Sequence, residues 1–187
     1  YNGFTPTGLQ NGETIGSVTF STDATSSTSG NWNYRAAPWT ITASAATGGT
    51  FDINNYSVTY ATGTLTIAQR VLAVTGAGVN KVYDGLTAAT VNYGDDRVAG
   101  DVFTVAGTAN FVDKNVANGK TINVTGIGVS GADSGNYSHN ATTTTTANIT
   151  PRALTVTANN KAMTYGAGNT YNGFTPTGLQ NGETIGS

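Results

Sequence analysis

The stretch TLTIAQRVLAVT, residues 64–75, decides how the chain folds. Leu65 and Ile67 alternate with polar neighbours. Ala68, Gln69 and Arg70 intervene, and Leu72 and Val74 resume the alternation. A period of two is the mark of strands with one buried face. Eighty-two positions later ANITPRALTVTA, residues 147–158, repeats the pattern: Ile149 answers to Ile67, Arg152 to Arg70, Leu154 to Leu72 and Val156 to Val74. The joins, Ala-Gln-Arg and Thr-Pro-Arg, are only three residues long. Pro151 fixes its own φ and restricts Thr150 to extended backbone, which favours a stiff connection.

Working outward, each stretch follows an Asn-Tyr-Ser triplet, at Asn55 and at Asn136, and precedes a lysine and then a tyrosine near glycine. Those later segments are NKVYDG, residues 80–85, and NKAMTYG, residues 160–166. NYSVTYATGTLTI, residues 55–67, places Tyr56, Val58 and Tyr60 on one face, turns at Ala61-Thr62-Gly63 and returns through Leu65 and Ile67, a hairpin pattern. LQNGETIG, residues 9–16, and RVAGDVFT, residues 97–104, are the only short helical candidates, each weakened by an internal glycine.

A longer repeat encloses the shorter one. Residues 1–17, YNGFTPTGLQNGETIGS, recur as residues 171–187, a period of 170 that divides into two modules of about 85 residues. A window on a longer tandem array has this form, with each unit contacting mainly its neighbours. The expected domains are 1–67, lacking a first strand, then a complete module at 68–152, then the start of the next at 153–187. Taken together, the expected fold is mainly β, with the modules in line as an elongated rod or filament.

Composition narrows the function. Only 10% of the 187 residues are charged, and Lys and Arg together number eight. No basic stripe exists to neutralise phosphates, so nucleic acid is not an expected partner. Without cysteine there is neither a disulfide framework nor a thiolate zinc cluster. No stretch approaches the roughly 20 apolar residues of a membrane span.

NKVYDGLTAATV, then GDVFTVAGTANFVDKNVANGKTINVTGIGVSGADSGNYS, then ANITPR closely resembles the YDG domain of large bacterial surface proteins, named for Tyr83-Asp84-Gly85. ALTVTANNKAMTYGAGN, continuing into the seventeen-residue repeat and matched by NYSVTYATGTLTI, resembles the MBG (mostly β-grasp) domain. Segment 21–52 is more elaborate than that pattern. Both families alternate in secreted adhesins of the filamentous-haemagglutinin kind. The resemblance implies β-grasp-like modules in an extracellular stalk or filament, at the bacterial surface or in a biofilm matrix, with neighbouring repeats as partners and no catalytic residues.

The residues themselves offer little catalytic chemistry. His139, the single histidine, has no second histidine or cysteine to join in a metal cluster or triad, and reads as a strand residue. The acidic stretches around Asp95, Asp96 and Asp101, and at Asp133, hold oxygen ligands suited to structural calcium. Neither has an EF-hand spacing, and Asp84 and Asp133 read more simply as turn residues; no cofactor is expected. Trp32, Tyr34, Arg35 and Trp39 form the best candidate patch. Aromatic faces beside an arginine suit a sugar ring, giving a glycan-binding alternative; core packing within a Gly/Ser-framed loop or a contact between modules is the favoured reading, the contact between modules foremost.

Overall fold

The computed structural model describes residues 3–168, 170 and 173–186. The fold is mainly β, and its only helical turns among those residues are two short 3-10 segments, Ile53–Asn55 and Ser134–Asn136. Two compact units form. The described residues of Tyr1–Val71, Arg97–Thr104 and Ser130–Ser138 make the first, and Leu72–Asp96, Val105–Val129 and His139–Ser187 the second.

In the first unit β1 (Ile15–Thr22), β2 (Trp39–Gly49) and β3 (Gly63–Leu65) form an antiparallel sheet in that order. The β1–β2 register shifts between Ser17 and Thr19, where Ala45 takes a φ of 48°. This is a bulge, an extra residue on one strand that bends it. It leaves Ala46 buried, with its N–H donated to the Tyr60 hydroxyl at 2.9 Å. The expected hairpin is absent: β3 pairs with Trp39, Thr40 and Ile41 of β2, and residues 56–62 form no strand. An alternating pattern fixes a face but not a partner, and here the start of β2 supplies the ladder instead.

In the second unit β4 (Arg70–Leu72), which begins in the first, leads into β5 (Thr75–Gly78), β6 (Lys81–Val82) and β7 (Val91–Gly94). These are followed by β8 (Thr104–Phe111), β9 (Ala117–Ser130), β10 (Tyr137–His139), whose Tyr137 and Ser138 belong to the first unit, and β11 (Thr143–Thr150). The main sheet has the order β6-β11-β9-β8, with β11 parallel to β6 and antiparallel to β9. Strands β5 and β7 pair separately, as do β4 and β10. The alternation around Leu72 and Val74 does bury them, together with Phe111, Ile122, Val124, Ala147 and Ile149. Glycine lets β5 close on this core: a Cβ on Gly78 would lie 2.6 Å from the Thr146 carbonyl oxygen. The run of threonines at 142–146 enters β11 with its positions alternately exposed, and His139 ends β10 half-buried.

The last pair, β12 (Thr155–Ala158) and β13 (Phe174–Thr177), is antiparallel in the register Thr155↔Thr177, Val156↔Pro176, Thr157↔Thr175 and Ala158↔Phe174. Neither helical candidate forms a helix. Asn11 and Gly12 both take positive φ, 51° and 71°, making the tight turn that Asn-Gly favours. Within 97–104 a turn at Gly100 leads into β8.

Candidate functional site

The sharpest cluster of polar contacts in the second unit surrounds Tyr83-Asp84-Gly85. The Asp84 carboxylate folds back to accept the Leu86 N–H at 2.9 Å and the Lys81 ammonium at 2.8 Å. These bonds, Lys81 first, hold its carboxyl below the usual range. Gly85 takes a φ of 76°, a left-handed conformation that glycine adopts without a Cβ clash. The Lys81 ammonium also donates to the carbonyls of Leu86 and Ala88, at 2.7 and 2.9 Å, and so staples the turn.

This turn receives the second copy of the long repeat. The Tyr83 hydroxyl donates to the Glu183 carboxylate, and Lys114 donates to the same carboxylate at 3.0 Å. Asn181 donates its side-chain amide to the Gly85 carbonyl at 3.3 Å. A Cβ on Gly85 would stand 2.7 Å from the Asn181 Cβ, so glycine is required by contact as well as by backbone angle. The Tyr83 hydroxyl, then Lys114, hold the Glu183 carboxyl below its ordinary value. Glu183, then Tyr83, raise Lys114 in turn. The arrangement is a docking contact: it holds a turn in place through charge-assisted hydrogen bonds.

Residues 68–147 match the model of one family. A YDG domain is found there. No curated protein and no solved structure matches the chain. The YDG domain thus contains Tyr83, Gly85 and Lys114, while Asn181 and Glu183, which they hold, lie beyond its matched end. The motif is legible in the sequence, but nothing local marks Lys114 or Glu183. They lie 69 positions apart, and no local spacing joins them. The one available signal was that Glu183 falls within the repeated seventeen residues.

The first unit places the aromatic patch in two separate settings. Trp39 is buried at the start of β2, its indole N–H donating to the Asn33 carbonyl at 2.9 Å. The Arg35 guanidinium lies 3.8 Å from the centre of the Trp39 ring, a stacked cation–π geometry. Arg35 also donates to the carbonyls of Ala37 and Pro38. Trp32, 51% exposed, and Tyr34 instead line a small cavity of about 110 Å³ with Arg70, Asp101 and Tyr137. Arg35 and Trp39 are therefore brought together, and Trp32 and Tyr34 face elsewhere.

Around that patch, Asp133 ties the 25–35 loop to two later segments of the same unit. It is 2% exposed and accepts from the Thr28 N–H at 3.1 Å, the Val102 N–H at 2.7 Å and the Thr28 hydroxyl. Those donors, the Thr28 hydroxyl first, hold its carboxyl below the usual range. The Asn136 side chain accepts the Tyr34 N–H at 2.7 Å and donates to the Asn33 side chain at 2.9 Å. A carboxylate surrounded by N–H and O–H donors acts as a hydrogen-bond hub. Among the described residues no three His, Cys, Asp or Glu side chains converge as a metal site. No helix among them is long and apolar enough to cross a membrane.

Proposed function

We propose that this chain is a structural repeat of a secreted bacterial adhesin or biofilm-matrix filament, working as a stalk or fibre in attachment and aggregation. The observation that carries the reading is the docking of the repeated segment. The second copy of residues 4–7 is strand β13, and the second copy of Asn11 and Glu13 sits on Tyr83, Gly85 and Lys114. A YDG domain that grips the opening residues of the next period is suited to setting successive modules in line. MBG-like modules would lie on either side of it, in a rod whose length follows the number of repeats. The role is mechanical, and it belongs outside the cell, with identical repeats as principal partners. An exposed Trp32 favours a second reading, recognition of a surface glycan.

The test is to express polypeptides of one, two and three periods and to compare them by negative-stain electron microscopy. The expected result is a rod that lengthens by a constant increment per period. Compact particles whose width grows with repeat number would overturn the filament reading.

A further inference from the structure

We propose that the apolar groove beside the β1-β2-β3 sheet is closed by residues 154–158 of a second copy of this chain, in the register that β12 adopts with β13. The inference deepens the filament reading and rests on it for its setting. Three observations converge on this one occupant.

The first is the groove itself, an open cavity of about 440 Å³ walled by Val18, Phe20, Ile41, Phe51, Tyr56 and Val58. Phe4, Thr5, Pro6 and Thr7 run along it without belonging to any strand. A segment that joins no strand, running beside an apolar trough, suits the acceptor half of a strand-addition site.

The second observation names the strand that such a segment takes. Residues 174–177 have the same sequence as residues 4–7, and they do form a ladder, with β12. Moved by one period, that register reads Thr155↔Thr7, Val156↔Pro6, Thr157↔Thr5 and Ala158↔Phe4. Pro6 has no N–H to donate, and its counterpart Pro176 already sits opposite Val156, so this register accommodates the proline.

The third observation comes from the donor. Leu154 and Val156 are 48% and 52% exposed, whereas Leu72 and Val74, their counterparts in the shorter repeat, are 1% and 3% exposed. An uncovered apolar row and an open apolar groove thus occur in one molecule. In the donor copy β12 is held by residues 174–177, so the incoming residues 4–7 replace an identical sequence. Strand hydrogen bonds are exchanged like for like, and the filled groove is the net gain. A slip of one residue would turn Leu154 and Val156 to the opposite face, which makes the register a testable part of the proposal.

The chain has no cysteine, so introduced thiols report cleanly. The full 187-residue chain carrying Pro6→Cys is mixed, in a glutathione redox buffer, with synthetic peptides of residues 152–161. Each peptide carries one cysteine, replacing Thr155, Val156 or Thr157. The Val156→Cys peptide should be trapped as a disulfide at least tenfold faster than the other two, because directly opposed strand residues meet the Cα separation a disulfide needs. The unmodified peptide should raise the Tm of the unmodified chain, a readout that no variant can confound. Equal trapping by all three peptides, or no rise in Tm, overturns the proposal. Rods that still lengthen with repeat number in that event leave the filament reading standing and remove this inference alone.

Discussion

Tyr83 donates its hydroxyl hydrogen bond to Glu183, one hundred residues further along the chain. In the first copy of the repeat, the equivalent Glu13 accepts a hydroxyl from a different tyrosine, Tyr56. One carboxylate position thus serves two tyrosines, one of them within the YDG domain. The filament reading gives this a simple purpose, since a carboxylate has enough acceptor sites to face both modules at a joint.

The contact around Glu183 should be sensitive to acid. Its folded carboxyl is lowered by Tyr83 and Lys114, so its contribution is present above its ordinary value of 4.5 and lost as pH falls through the lowered one. Lys114 is raised, so its contribution persists below its ordinary value of 10.5 and is lost as pH climbs through the raised one. The protection factors of residues 173–186, which divide out the intrinsic pH dependence of amide exchange, should therefore fall on the acid side of 4.5 and on the alkaline side of 10.5. The variant Glu183→Gln should abolish the acid limb.

Asp133 should be a strong determinant of the first unit's stability. Asp133→Ala strands the N–H groups of Thr28 and Val102, at a cost of roughly 2–4 kcal/mol. Asp133→Asn retains one acceptor oxygen and should cost less. Denaturant unfolding of the three proteins, followed by tryptophan fluorescence, should rank them in that order.

Gly78 should tolerate no side chain. A Cβ there would meet the Thr146 carbonyl at 2.6 Å and the Ile122 methyl at 2.8 Å, so Gly78→Ala should destabilise by about 1–3 kcal/mol through overpacking. Gly119, which has open space around its Cβ position but a φ of 60°, provides the contrast. Its alanine variant reports backbone strain without collision. Thermal unfolding should show the larger loss for Gly78.

The two tryptophans should separate cleanly. Trp39→Ala removes a buried ring and the platform under Arg35, at about 3–5 kcal/mol. Trp32→Ala, at a half-exposed site, should change stability by no more than about 0.5 kcal/mol. A glycan-binding assay therefore belongs on Trp32 alone, with the Tm of the variant confirming an intact fold. Undiminished glycan binding by that variant would remove the second functional reading.

Because the repeat places one sequence in two settings, it separates what the sequence determines from what the tertiary structure decides. Some features are the same in both copies. Asn11 and Gly12 take φ values of 51° and 71°, Asn181 and Gly182 take 50° and 75°, and each turn is closed by a glutamate N–H on a glutamine carbonyl. That turn is local, written in Asn-Gly chemistry that needs no distant partner. The β character of the chain and the faces of Leu72 and Val74 were legible for a related reason, since alternation records which side chains can share a face. Other features differ between the copies. Residues 174–177 are a strand and residues 4–7 are not, and in the shorter repeat Leu72 and Val74 are buried and Leu154 and Val156 are not. Residues 56–62, which occur once, miss the hairpin their pattern suggested. A ladder needs a second strand and a core needs a covering layer, and both come from elsewhere in the fold. Sequence alone supplied the alternation and the period, while the Asn11-Gly12 turn lay in a stretch that reads as a helical candidate; which edges are paired and which apolar rows are covered was decided only where distant segments met.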